Sequence, residues 1–199
     1  MAVKPEDVKR LREKTGVGMM DCKKALEEAN GDFDEAQAIL RKKGIAVAAK
    51  RADRIASDGA VVSYIHGGGR IGVLVEMNCE TDFVARTEKF QELAKNIAMQ
   101  IAAAKPKWVA PENVPEDALA REREILIEQA KNEGKPANIA EKMVEGRLKK
   151  FYTEFCLVNQ PYIRDESITV QDLINDLAGQ VGEKVGVRRF VRYALGEEI

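Results

Sequence analysis

The chain has 199 residues, of which 45% are hydrophobic and 33% are charged, and its 32 Lys and Arg nearly balance its 33 Asp and Glu. This length allows one large domain or two or three small ones. The net charge of −1 argues against a nucleic-acid-binding protein, which usually carries a strongly basic surface, and the sequence has no apolar run near the roughly 18 residues that a membrane-spanning helix needs.

Residues 1–45 are predicted to form a bundle of three short helices. The first begins at Pro5, a favoured residue of the first helical turn, and ends at Gly16. The third follows Asp32 as its N-cap and ends at Gly44. A buried stripe is predicted on each of the last two helices: Cys22, Ala25, Leu26 and Ala29, and then Phe33, Ala36 and Leu40. So small a bundle cannot enclose a pocket and is typical of partner-binding domains.

Residues 46–56 are alanine- and lysine-rich and predict a helical linker. After it the hydrophobic period changes from helical to two, and the segments 60–66 and 70–79 flank three glycines, Gly67 to Gly69. This pattern predicts a β-hairpin. The residues of the second arm that share one face are Ile71, Val73, Val75, Met77 and Cys79, while Glu76, Asn78 and Glu80 share the other.

The remaining residues predict four helices and a closing strand. A long helix ends at Pro106, and residues 115–132 and 136–157 form two more, separated at 133–136. Residues 170–181 form the last. The buried stripe of the long helix comprises Phe90, Leu93, Ala94, Ile97, Ala98 and Ile101, and the closing strand alternates Val185, Val187, Val191, Tyr193 and Leu195.

The predicted architecture is α+β, with the helical bundle followed by a core of residues 57–199. In this core a small antiparallel sheet of about three strands packs with helices. A sheet of so few strands leaves edges that need covering, and this makes a homodimer plausible.

Three motifs that could suggest chemistry have better structural explanations. The run HGGGR leads into a strand, whereas a phosphate-binding loop leads into a helix. His66 is the one histidine of the chain, and no neighbouring Ser or Cys suggests a catalytic dyad. Cys22, Cys79 and Cys156 are far apart, which predicts neither disulfides nor a metal site. With no signal-peptide pattern at the start, we expect a cytoplasmic protein without catalytic groups, metal or cofactor.

Met19 and Met20 open the second helix. Met19 lies three residues before Cys22 and is expected to extend the buried stripe. Met20 falls among Lys23, Lys24 and Glu27 on the charged face. An exposed Met there is either an ordinary surface residue or part of an adaptable contact surface, and the pattern leaves both open.

Phe83 stands at the junction of the hairpin and the long helix. If the helix begins at Thr81, Phe83 lies two turns before Phe90 and joins the buried stripe. If Thr87 is the N-cap instead, Phe83 belongs to the connection and projects outward. Periodicity leaves these alternatives open.

Two stretches resemble the signature motifs of the bacterial elongation factor Ts family: LREKTGVGMMDCKKAL at residues 11–26 and EMNCETDFVAR at residues 76–86. A third, KPANIAEKMVEGRLKKFYTEFCLVNQPYIRD at residues 135–165, is also similar to that family. The length resembles that of its short form. The resemblance therefore covers nearly the whole chain.

The resemblance implies a guanine-nucleotide exchange factor for elongation factor Tu, the translational GTPase, and a ubiquitin-associated-like fold for residues 1–45. It also implies that Thr81, Asp82, Phe83 and Val84 insert between two helices of the GTPase domain and help to dislodge Mg²⁺. Arg12, Met19 and Met20 would contribute an N-terminal contact, and short-form members are expected to be symmetric dimers. The rival hypotheses are an adaptor built on the three-helix bundle, without exchange activity, and, less favoured, an enzyme.

Overall fold

A computed structural model describes residues 3–51, 53–133 and 137–197. The chain ends, residue 52 of the predicted linker and most of the predicted break at 133–136 lie outside the described residues. The helices are α1 (Pro5–Thr15), α2 (Met19–Glu28), α3 (Phe33–Lys50), α4 (Asp82–Ala85), α5 (Glu88–Ala104), α6 (Glu116–Asn132), α7 (Ala137–Phe155) and α8 (Val170–Val181). The strands are β1 (Asp58–His66), β2 (Ile71–Cys79), β3 (Pro161–Tyr162), β4 (Asp165–Thr169) and β5 (Gly186–Ala194).

The α+β class is confirmed. Strands β1, β2 and β5 form a three-stranded antiparallel sheet with β2 in the middle, and β3 pairs with β4 in a separate ribbon. The hairpin is also as predicted, because Gly67, Gly68 and Gly69 all have positive φ angles (61°, 65° and 91°) in the turn between β1 and β2, which other residues adopt only at a cost. No helix in the described part of the chain is long and apolar enough to cross a membrane.

The chain forms two compact units. The first comprises Met1–Val61, Glu76–Ala94 and Asp172–Gly186, and the second comprises Val62–Val75, Lys95–Gln171 and Val187–Ile199. The first contains the predicted three-helix bundle. Its buried core consists of Val8, Leu11, Cys22, Ala25, Leu26, Ala29, Ala36, Ile39 and Leu40.

The end predicted for the third helix is wrong, because α3 continues past Gly44 to Lys50. Gly44 lies against α8 within the first unit: a Cβ placed on Gly179 would be 3.3 Å from the Gly44 Cα. The glycine thus allows two helices to approach closely and does not end one. Asp32 is the predicted cap, since its Oδ1 accepts a hydrogen bond from the Glu35 backbone N–H at 2.8 Å.

The second unit buries two glutamines that hold its loops together. Gln100 is 0% exposed and Gln160 is 3% exposed. Gln100 Nε2 donates to Gln160 Oε1 at 3.1 Å, and Gln100 Oε1 accepts from the Ile163 backbone N–H at 2.9 Å. Such pairing offsets the cost of burying amides. In the same unit, α6 and α7 pack through Leu126, Val144 and Leu148.

The closing strand β5 was predicted correctly, but its odd-numbered residues do not all face inward. Val185, just before the strand, is buried, whereas Val191, Tyr193 and Leu195 are exposed. The alternation is interrupted at Arg188 and Arg189, which are both exposed, and this places the later odd residues on the solvent side.

Candidate functional site

The candidate site is built around the segment 81–84, which follows the central strand of the sheet. Val73, Val75, Met77 and Cys79 alternate along β2 and are all buried, as predicted. The chain then turns at Thr81, whose extended backbone (φ −131°, ψ 152°) caps the one-turn helix α4. Its hydroxyl oxygen accepts from the Val84 backbone N–H at 3.4 Å. A buried strand therefore leads directly into a short exposed helix.

Phe83 projects outward from α4 with 78% of its surface exposed. The alternative in which Phe83 joins the stripe of Phe90 is wrong, because a second cap separates the two helices. Thr87 Oγ1 accepts from the Phe90 backbone N–H at 3.3 Å and donates to the Val84 carbonyl at 2.7 Å. The long helix therefore begins only at Glu88.

The other members of the segment differ in exposure. Asp82 is exposed and pairs with Arg86 at 2.9 Å, four residues along the chain. Because both side chains are largely in water, this pair contributes little to stability. Val84 is only 5% exposed, so the free protein presents Thr81, Asp82 and Phe83 to solvent while Val84 anchors the turn in the core.

The segment is held by Glu183, a contact that the sequence analysis did not identify. Glu183 Oε2 accepts from the backbone N–H groups of Glu80 and Thr81, each at 3.0 Å, and its Oε1 accepts from the Thr81 hydroxyl at 2.7 Å. These partners are separated by 102 or 103 residues. No local spacing in the sequence signals such a pair.

A reciprocal bond runs from the segment to the residue after Glu183. Glu80 Oε1 accepts from the Lys184 backbone N–H at 2.6 Å, and the Glu80 carboxylate also pairs with Arg54 at 3.2 Å. The Lys184 N–H, followed by Arg54, lowers the pKa of Glu80. Glu80 therefore keeps the charge that these bonds require at neutral pH.

Cys79 lies beneath the segment and donates from Sγ to the Thr81 carbonyl at 3.1 Å. Burial, with smaller contributions from the negative charges of Glu183 and Asp58, raises the pKa of Cys79 to about 11. The thiol is protonated at neutral pH and acts as a donor. Cys22, Cys79 and Cys156 are all buried and free, and so the prediction that Cys22 and Cys79 are core thiols is confirmed.

The N-terminal candidates lie on the helical bundle. A shallow open pocket of about 250 Å³ is lined by Val3, Pro5, Val8, Met19, Met20 and Lys23. Met20 is 63% exposed, as predicted. The expectation that Met19 continues the buried stripe is wrong, since it is 45% exposed. As the first residue of α2, it lies at the pocket wall, outside the buried core of the bundle.

Arg12 is exposed on α1, next to the buried Leu11, and it does not line this pocket. Gln180 of α8 connects the bundle to the helix after the segment. Its Nε2 donates to the Thr15 carbonyl at 2.8 Å, and its Oε1 accepts from Lys89 Nζ at 2.8 Å. The end of α1 and the start of α5 are therefore held by one side chain.

Among the described residues, no group of three or more His, Cys, Asp or Glu could hold a metal ion. His66 lies at the end of β1, exposed and 3.0 Å from the Tyr64 hydroxyl, as expected for a surface residue at a strand end. The arrangement of residues 81–84 presents an aromatic side chain and a carboxylate on a fixed turn, which suits binding to another protein.

Three known proteins that are similar to this chain share one name with a family model. A family model described as "Elongation factor TS" matches residues 6–197. The Elongation factor Ts of Moorella thermoacetica is 64% identical over 193 residues, covering 97% of this chain and 95% of the relative. The Elongation factor Ts of Carboxydothermus hydrogenoformans is 63% identical, covering 96% of this chain and 88% of the relative. That of Caldanaerobacter subterraneus subsp. tengcongensis is 59% identical, covering 99% of this chain and 98% of the relative.

Proposed function

The chain belongs to the elongation factor Ts family of translation elongation factors, and from that premise we propose that it is the guanine-nucleotide exchange factor of elongation factor Tu. Its partner would be the GDP-bound and then the nucleotide-free GTPase. The observation that carries the proposal is the 78% exposure of Phe83 on a turn that is fixed on both sides by threonine caps.

An exposed aromatic residue on a rigid turn is well suited to bind a groove of a partner protein. Single exposed apolar residues are common and need no explanation. Phe83 differs because the cap bonds of Thr81 and Thr87 and the Glu183 contacts fix the backbone around it. Little backbone conformational entropy would be lost when the Phe83 side chain enters a partner's groove.

Exchange of this kind is a linkage effect and needs no catalytic group, so we assign no enzymatic activity. The factor would bind the nucleotide-free GTPase more tightly than the loaded one, and this lowers nucleotide affinity by the same factor. Each tenfold loss of nucleotide affinity requires about 1.4 kcal/mol of differential binding.

The segment 81–84 would act on the Mg²⁺ site of the GTPase. We propose that Phe83 inserts between two helices of the GTPase domain, and that Asp82 competes there for hydrogen-bond donors or helix ends. Val84 supports this contact from within the core, since it is 5% exposed in the free chain. Displacement of the helices would release Mg²⁺ and then GDP.

A second contact would involve the pocket on the bundle. Met19 and Met20 present flexible, polarisable side chains that adapt to different apolar surfaces, and Lys23 adds a positive charge at the same pocket. We propose that this surface, together with Arg12, binds the GTPase domain at a separate site. This contact would supply affinity that Phe83 alone cannot.

We further propose that the factor is a homodimer in the cytoplasm, where translation elongation takes place. Exposed apolar residues lie on all three strands of the sheet: Ile65 (64%) on β1, Leu74 (49%) on β2, and Val191 (37%) and Tyr193 (70%) on β5. Leu195 (74%) directly follows β5, and we assign these residues to one apolar face. Ile65 lies on the Leu74 side of β2, because its Cδ1 is 3.5 Å from a Cβ built on Gly72. Clustered apolar residues of this kind mark interaction surfaces.

The occupant of this face would be a second copy, since a two-fold axis brings the same patch of each copy together. The patch includes residues of both outer strands, β1 and β5, as well as of the central strand β2.

The direct test of the proposed function is release of fluorescent GDP from elongation factor Tu, measured with and without this protein. We expect acceleration that saturates with the concentration of the factor. Binding without acceleration would favour an adaptor built on the bundle, and neither binding nor acceleration would remove the proposal.

A further inference from the structure

We propose that Glu183 is a positioning residue for nucleotide exchange, acting by fixing the turn that presents Phe83. This inference rests on the exchange function proposed above. Glu183 lies between α8 and β5, about a hundred residues from the turn, yet its carboxylate makes three hydrogen bonds to Glu80 and Thr81 of 2.7–3.0 Å.

These three bonds use both oxygens of the carboxylate and both residues that precede α4. Oε2 receives the two backbone N–H groups, and Oε1 receives the Thr81 hydroxyl. The hydroxyl oxygen of Thr81 is in turn the acceptor for the Val84 N–H. The Glu183 side chain therefore holds both the backbone and the side chain of Thr81, the cap residue of α4.

The helix that carries Phe83 depends on support from the rest of the fold. It has four residues, far fewer than an isolated helix needs to be stable in water. Its own cap bond, from Val84 N–H to Thr81, is long at 3.4 Å, whereas the bonds to Glu183 are shorter and involve a charged acceptor. Bonds to charged groups are the stronger ones.

The segment before α4 also accepts a hydrogen bond from the residue that follows Glu183. The Glu80 carboxylate accepts from the Lys184 N–H at 2.6 Å, and Lys184 Nζ donates to the Arg54 carbonyl at 3.0 Å. Residues 183–184 and residues 80–81 therefore bind each other in both directions. A turn fixed in this way is ordered before the partner arrives, and ordering one residue's backbone only on binding would lower affinity by roughly five- to thirtyfold.

If Glu183 only stabilises the fold, its replacement should slow GDP release equally with and without Phe83. If it positions Phe83, the effect should depend on Phe83, and a double-mutant comparison distinguishes the two roles. Glu183→Ala is expected to slow stimulated GDP release about tenfold when Phe83 is present, but less than about twofold in the Phe83→Ala background. Glu183→Gln keeps one carbonyl oxygen for the two backbone N–H groups, so it is expected to retain most of the activity. Glu92→Ala, which removes an exposed carboxylate from α5, should leave the rate unchanged.

Amide hydrogen exchange supplies a readout that does not depend on activity. In Glu183→Ala the amides of Glu80, Thr81 and Val84 should exchange faster, while that of the buried Val75 on β2 stays protected. If Glu183→Ala does not fold, the same comparisons are made with Glu183→Gln, for which a smaller effect in the same order is expected.

The proposal is overturned if Glu183→Ala lowers the rate equally with and without Phe83, or if neither the rate nor the amides change. If the unmodified protein fails to accelerate GDP release at all, the proposed exchange function is contradicted. The amide measurement then still decides whether Glu183 orders the turn.

Discussion

Replacing Phe83 with alanine tests the central feature of the site. Full burial of a Phe side chain stabilises a complex by about 1.5–3 kcal/mol, and 78% of this residue is exposed in the free chain and available for burial. Scaled by that fraction, the loss is about 1.2–2.3 kcal/mol, or roughly a seven- to fiftyfold slower stimulated release of GDP. Stopped-flow release of fluorescent GDP from elongation factor Tu measures this directly.

The same substitution should leave the fold almost unchanged, because the side chain contributes little to the core. We expect a change in unfolding free energy within about 0.5 kcal/mol, as for other surface substitutions. Phe90→Ala is the matched control: Phe90 is 0% exposed, so its truncation should cost about 3–5 kcal/mol of stability. If Phe83→Ala lowers the melting temperature as Phe90→Ala does, and exchange per folded molecule is normal, then the assignment of Phe83 to the partner contact is refuted.

The remaining predictions concern the pocket, the sheet face and the thiols. Met20→Ala should weaken binding to elongation factor Tu, measured by calorimetry, without lowering the melting temperature. Leu74→Lys should convert a dimer into a monomer in sedimentation equilibrium. Burial raises the pKa of Cys79 and of Cys156 to about 11, from 9.0, so between pH 9 and 11 the unfolded chain loses thiol protons that the folded chain keeps. Stability should therefore fall in urea titrations, by up to about 1.4 kcal/mol per pH unit for each thiol.

Each of these has an outcome that contradicts it. Unchanged affinity would remove Met20 from the interface. A monomeric unmodified protein would overturn the homodimer, and a dimer that persists in Leu74→Lys would place its interface elsewhere. For the thiols the control is Cys79→Ala: its stability should decline less steeply above pH 9 than that of the unmodified protein, and an identical slope would disprove the protonation argument.

Local sequence pattern was sufficient for most of the secondary structure. The strand β2 alternates along its whole length because one face is buried, and α5 carries a stripe of buried residues for the same reason. Capping residues such as Asp32 and Thr87 are also recognisable, since their side chains act on backbone groups only three residues away.

Contacts between distant parts of the chain, and for Met19 its position at a helix end, explain what the sequence could not reveal. Gly44 looks like a helix end, but α8 packs against it and the helix continues. Met19 has the spacing of a buried residue, yet it is the first residue of its helix and lies beyond the buried core of the bundle. Glu183 shows no local signal, because the residues to which it is hydrogen-bonded lie about a hundred residues earlier.

The site itself was only partly predictable. The hydrophobic periodicity allowed Phe83 to lie either on the buried stripe of the long helix or in the connection before it. Which position is correct depended on whether the long helix begins at Thr81 or after Thr87. Both threonines act as caps, because each precedes a separate helix. Neither of the two predicted alternatives included two helices. The exposure of Phe83 follows from this double cap.

Gln180, which bridges the Thr15 carbonyl and Lys89 Nζ, has a consequence for avidity. Under the function proposed above, the pocket of the bundle and the turn of Phe83 bind one GTPase at two places. Once one surface is bound, the other binds at an effective concentration that depends on how narrowly their separation is defined. Gln180 restricts that separation, so under this proposal it would contribute to affinity for elongation factor Tu although it belongs to neither surface.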